Sequence, residues 1–108
     1  MGASITAKVA YGIPIPDKEA RRYEDEHEDE LYIEEGVCTI VMHGDLEWDT
    51  CSHLLAIRES LHTAYPGKTT LLKLKNKESW DIQLAQTLKD LGLNTRRKPN
   101  WFLVCWYG

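Results

Sequence analysis

The residues of this chain with the most chemical potential lie between positions 38 and 69. Cys38, His43, Cys51 and His53 fall close together, and all four are zinc-ligating types. In a regular strand, however, Cys38 and His43 have opposite parity and point to opposite faces. Their spacing also matches no compact zinc knuckle, so a buried thiol with exposed imidazoles is the plainer reading and no metal is expected. Ser60 beside His62, with Asp45 and Asp49 upstream, supplies the residue types of a hydrolytic triad. A triad is defined by three-dimensional geometry, and no nucleophile-elbow glycines flank Ser60. Gly67-Lys68-Thr69 reproduces the end of a phosphate loop, but the full pattern needs a glycine where His62 stands and a helix to follow. The residues after Lys68 read instead as strand. The catalytic set is left empty, no cofactor is expected, and a non-enzymatic protein is the reading adopted.

Charge patterning points to binding. The formal net charge of -4 hides an uneven distribution. Between Asp17 and Glu35 ten acidic residues stand against three basic ones, whereas from Lys68 onward eight basic residues stand against three acidic. Glu24, Glu26, Glu28, Asp29 and Glu30 form a candidate acidic patch that could dock on a basic protein surface and steer the encounter. Lys73, Lys75, Arg96, Arg97 and Lys98 form the alternative, a basic patch for nucleic acid, with Trp101 and Tyr107 as stacking surfaces. The plain counterparts are a solubilising flap, a solvated loop and core aromatics. Trp48, in a polar turn, is a further candidate for an exposed contact.

These side chains need a scaffold, and 108 residues suffice for one domain spanning 1–108. No apolar run approaches the roughly 20 residues that cross a bilayer, and no signal peptide is apparent. The opening MGASIT fits the loose myristoylation pattern through Gly2 and Thr6, but a strand starting almost at once favours the plainer reading. Three cysteines, an odd number, suggest reduced thiols and a cytoplasmic setting, with a Cys38–Cys51 bridge across a hairpin left open.

Period-2 alternation of Ile5, Ala7, Val9 and Tyr11 gives a first strand, followed by an extended edge or surface loop through Pro14 and Pro16. The acidic segment 17–35 lacks an apolar stripe and reads as a mobile loop or frayed helix. Residues 37–43 form a strand. Residues 53–65 fit both a helix and a strand pairing back onto 37–43; the strand is adopted. A short strand is expected over 68–75, with Leu72 and Leu74 inward. Asn76 is a candidate N-cap for a helix over 77–91, whose Trp80, Leu84, Leu88 and Leu91 make one apolar stripe, stopped by Gly92. The terminal WFLVCWYG is placed in the sheet interior against that helix. The sum is an α+β fold: a small antiparallel or mixed sheet of four to five strands with one main helix on one face. The expected core is Val9, Val37, Ile40 or Val41, Leu72, Leu74, Trp80, Leu84, Leu88, Leu91, Phe102 and Val104.

The ending LGLNTRRKPNWFLVCWYG, after a helix containing Trp80, and the opening KVAYGIPIP resemble small accessory proteins of tailed bacteriophages. The resemblance covers about a quarter of the chain. It implies an α+β domain acting in the host cytoplasm, in a family of generally unassigned function, and it brings no catalytic residues. The charge asymmetry and the missing active-site pattern give the expectation that the chain binds and modulates a host protein. No membrane association is expected, and a homodimer is compatible with the sequence.

Overall fold

The computed structural model describes residues 5–42 and 51–107. Among these residues five antiparallel strands form one sheet, accompanied by two helices: β1 (Ile5–Pro16), α1 (Asp17–His27), β2 (Cys38–Met42), β3 (Cys51–Ile57), β4 (His62–Ala64), α2 (Glu78–Leu91) and β5 (Asn100–Tyr107). This is the expected α+β architecture, with the sheet wholly antiparallel.

β1 is the axis of the sheet. Ile5 to Gly12 pair with Tyr107 to Asn100 of β5, while the opposite edge of β1 is shared by β4 and β3. The two run along β1 in succession, separated by a single 3-10 turn at Arg58–Ser60. That turn would leave the Tyr11 amide without a ladder partner. The buried Ser60 hydroxyl fills the gap, accepting from Tyr11 N–H at 2.9 Å and donating to the Ile57 carbonyl at 2.7 Å. Next to it, a Cβ on Gly12 would lie 2.2 Å from the Leu55 carbonyl oxygen, so the close approach of β3 admits only glycine.

Backbone parity explains how β1 tolerates proline. Tyr11 points its N–H toward Ser60, so even-numbered residues nearby point the other way, toward β5. Pro14 lies on that side beyond the last β5 pair, Gly12↔Asn100, where no ladder donor is needed. Its carbonyl accepts instead from Thr95 Oγ1 at 3.2 Å. β1 therefore continues through the proline pair, and Ile13 and Ile15 become core rather than surface loop.

The larger core lies between one sheet face and the helices. Tyr11, Ile13, Ile15, Cys38, Leu55 and Ile57 meet Trp80 and Leu84 of α2, Ala20 of α1, and Leu31 and Leu93 from the connections. Tyr11, Trp80 and Trp101 make an aromatic triangle with ring centroids 5.6–6.0 Å apart. α2 ends as anticipated: Gly92 N–H reaches the Lys89 carbonyl and Leu93 N–H the Leu88 carbonyl, while buried Leu93 closes the motif. The opposite sheet face carries a smaller cluster of Ala10, Val41, Leu54 and Ala56, flanked by Leu61, Phe102 and Val104.

Four expectations are corrected. Residues 68–75 form no strand, because β4 and β5 already occupy both sides of the N-terminal half of β1 and the Leu/Lys alternation finds no ladder. β5 lies at a sheet edge, not in the interior, although its Trp101 does pack on α2. Val37 and Leu74 are half-exposed rather than core. Asn76 does not cap α2, which starts after Lys77 without a side-chain cap; its Oδ1 accepts a hydrogen bond from the Trp101 indole N–H. The adopted strand reading of 53–65 is borne out, with the 3-10 turn interrupting it.

Candidate functional site

The acidic segment folds into α1 from Asp17 to His27 although Ala20 is its sole buried residue among those described. Two local effects support it. Asp17 and Glu19 occupy the first turn, where the helix dipole favours negative charge. Arg22 bonds Glu19 and, at 2.9 Å, Glu26, one turn away on either side, and also reaches the carbonyl of Gly92 at the end of α2. The Arg22 hydrogen bond holds the Glu19 carboxyl below the usual carboxylate range, helped by the Asn94 N–H at 3.4 Å. Arg22 thus latches α1 onto the C-terminus of α2.

The far end of α1 is built differently. Glu24 is half-buried, and Asp25, Glu26, Glu28, Asp29 and Glu30 are exposed. These carboxylates crowd the last turn and the residues after it, where the helix dipole is negative. Glu28, which terminates the helix, holds φ 54° and ψ 32°, a left-handed conformation normally given to glycine. His27 offers partial relief, stacked on Tyr23 with its Nδ1 2.8 Å from the Tyr23 carbonyl. The acidic field extends inward. Burial pushes the pKa of His53 on β3 down, and the charges of Glu24, Asp17 and Glu30 oppose that shift. Beyond the patch, Leu31 is buried and anchors the chain, and Tyr32 is 65% exposed.

The basic residues lie on two connections that converge. The hydrogen bond between Asn76 and Trp101 ties the end of the Lys73–Lys75 segment to the beginning of β5. Arg96, Arg97 and Lys98 belong to the connection that enters the same end of that strand. Arg96 and Arg97 line an open depression with Pro16, Asn94 and Thr95. The acidic and basic segments, remote in sequence, therefore adjoin where Pro16 meets Asn94, and are not held on opposite sides of the molecule. Trp101 contributes its ring to the aromatic triangle, which makes it a packing residue.

The other sequence candidates resolve into structural roles where they are described. Gly67-Lys68 sits in a turn closed by Lys68 N–H on the Tyr65 carbonyl, with φ 79° at Gly67, and no helix begins until Glu78. The Ser60 hydroxyl is spent on the backbone of Tyr11 and Ile57. Cys38 is a buried free thiol whose pKa is raised by burial; Thr87 Oγ1 lies 3.3 Å from its sulfur. No group of three metal-ligating side chains occurs among the described residues; His43, Asp45, Trp48 and Asp49 lie outside them. Among the described residues, no helix is long and apolar enough to cross a membrane.

Two features escape sequence reasoning. An open depression of about 510 Å³ is lined by Val37, Arg58, Glu59, Lys77, Trp80 and neighbours. Its charges are internally committed: Lys77 pairs with Glu59 at 2.6 Å, and Arg58 donates to the carbonyls of Gly36 and Cys38. The second is the outer edge of β5, whose residues read as core by hydrophobicity alone although Leu103 is 70% exposed. Comparison with known proteins gave no matching family model, curated protein or solved structure.

Proposed function

We propose that this chain is a non-enzymatic interaction module whose α1 captures a basic surface on a partner protein. The resemblance to phage accessory proteins would make that partner a host protein and the setting the host cytoplasm. The observation that carries the reading is the placement of Glu24, Glu26, Glu28, Asp29 and Glu30 at the negative end of a helix dipole, around a non-glycine residue in a left-handed turn. Folding alone disfavours both features, by repulsion and by backbone strain. A cationic surface relieves the first. Conflicts between local preference and global fold are expected at functional sites.

The test is affinity capture from a bacterial host lysate, with and without nuclease, using wild type and a variant carrying E28Q, D29N and E30Q, which leaves the Glu26–Arg22 pair in place. The expected result is nuclease-resistant capture that weakens in the variant and with added salt. Equal capture by the variant at low salt overturns the reading.

A second reading has one specific observation in its favour. The Asn76–Trp101 bond brings the Lys73/Lys75 segment to the same end of β5 as Arg96, Arg97 and Lys98. A nucleic-acid module built there would bind with a steep salt dependence, lost on neutralising the three residues of the turn. Absence of DNA or RNA binding at low salt removes it.

A further inference from the structure

Among the described residues β5 ends the sheet, and its sequence NWFLVCWY contains neither a charge nor a proline. It pairs with β1 in unbroken register over all eight residues, without a bulge. Charged side chains, prolines, bulges and short length are the devices that usually protect an edge strand, and β5 has none of them. Parity shows which backbone groups are open. Even-numbered residues of β1 face β5, so Asn100, Phe102 and Val104, opposite Gly12, Ala10 and Lys8, direct their N–H and C=O groups inward. The groups of Trp101, Leu103 and Cys105 point outward. The Trp101 N–H is taken by its neighbour Asn100 Oδ1 at 2.8 Å, which closes one end of the row. Leu103 and Cys105 are both exposed.

The other strands that end the sheet are poorer templates: β4 is only three residues long, and β2 is only five residues long and is partly closed. Its Arg58 N–H to Val37 carbonyl bond sets the parity, so the Cys38 carbonyl points outward, and Arg58 Nη2 donates to it at 3.1 Å.

We propose that β5 pairs antiparallel with β5 of a second copy, joining two sheets into one across a twofold axis near Leu103 and Val104. A second copy is the occupant these observations favour for two reasons. First, the guanidinium over Cys38 blunts β2 and β4 offers only three residues, which disfavours addition of β5 to either and hence an open fibre, whereas β5-to-β5 pairing closes as a symmetric dimer. Second, antiparallel pairing matches an uncharged strand with an uncharged strand. It also puts the two Arg96-Arg97-Lys98 turns at opposite ends of the shared ladder, roughly 25 Å apart for eight residues. That exceeds the Debye length of about 8 Å at physiological ionic strength, so the turns do not repel. Leu103, which now borders a small depression with Ala7, Val9, His62 and Leu72, would lie against Leu103 or Cys105 of the other copy.

The test is sedimentation of the protein alone in reducing buffer over a wide concentration range, for wild type, L103K and L103P. Proline at 103 removes an outward N–H and no bond to β1, so it should break pairing without breaking the fold. The expected result is a wild-type monomer–dimer equilibrium, weakened at least tenfold in both variants while their circular dichroism is unchanged. Hydrogen exchange of wild type should slow at the Leu103 and Cys105 amides as concentration rises. A wild type that stays monomeric throughout, or a dimer equally strong in L103P, overturns the proposal. Because no partner protein is present, either outcome leaves the α1 reading to its own test.

Discussion

Tyr11 shows how much one side chain organises here. Its ring joins β1 to Trp80 and Trp101, its amide is completed by Ser60, and its hydroxyl donates to Asp81 Oδ1 at 2.6 Å. Burial, reinforced by the Asp81 carboxylate, pushes its pKa from 10.0 up to about 12. The folded state therefore binds the proton more tightly than the unfolded chain, and the associated stability is complete below pH 10 and lost as pH rises toward 12. Chemical denaturation across that window should show a falling midpoint in wild type and a shallower fall in Tyr11→Phe. Ser60→Ala leaves the Tyr11 amide buried without a partner and should cost about 1–3 kcal/mol, measured by urea unfolding. Gly12→Ala drives a methyl into the Leu55 carbonyl and should cost at least as much. Sequence made Ser60 look like a nucleophile candidate because a hydroxyl beside a histidine has the right types. Its actual role depends on a break between β3 and β4 that no local pattern announces.

Among the elements, those with a strong period of their own were legible. α2 was readable from its four-residue stripe and its glycine stop, and β2 from its β-branched run. The failures occurred where partners decide. The 68–75 segment has alternation but no free strand to pair with, and Ile13 and Ile15 were hidden behind prolines whose missing donors face the side of β1 beyond the last β5 pair, where no ladder bond is made. α1 lacked a stripe because it is held less by burial than by the Arg22 latch to Glu19, Glu26 and Gly92. Arg22→Ala should therefore speed hydrogen exchange across Asp17–His27 while leaving α2 protected. Because the Glu19 carboxyl is held below its usual range, its part of the latch is present above that range and lost as pH falls through the lowered value. Exchange in α1 should accelerate first on acidification. Glu28→Gly should act the other way. Relief of a left-handed backbone, at roughly 1–2 kcal/mol, less the entropy of glycine, leaves a gain of about 0.5–1 kcal/mol in unfolding free energy.

At the scale of the whole molecule, the sequence shows an acidic third and a basic third but not that they adjoin. Their contact near Pro16 and Asn94 means that salt weakens an attraction there as well as the repulsion within the acidic patch. The repulsion should dominate. Carboxylates three or four residues apart on a helix lie well inside a Debye length, and several also oppose the dipole. Added salt should accordingly raise the unfolding midpoint of wild type. The variant carrying E28Q, D29N and E30Q, which keeps the Glu26–Arg22 pair, should start about 1 kcal/mol more stable and respond less to salt. Thermal unfolding at low and high ionic strength checks both statements. If the same variant is more stable but captures less, the patch is kept for binding at a cost to the fold, as stability–function trade-offs require. If it is less stable, the carboxylates hold the structure together and their charge is not misplaced for the fold.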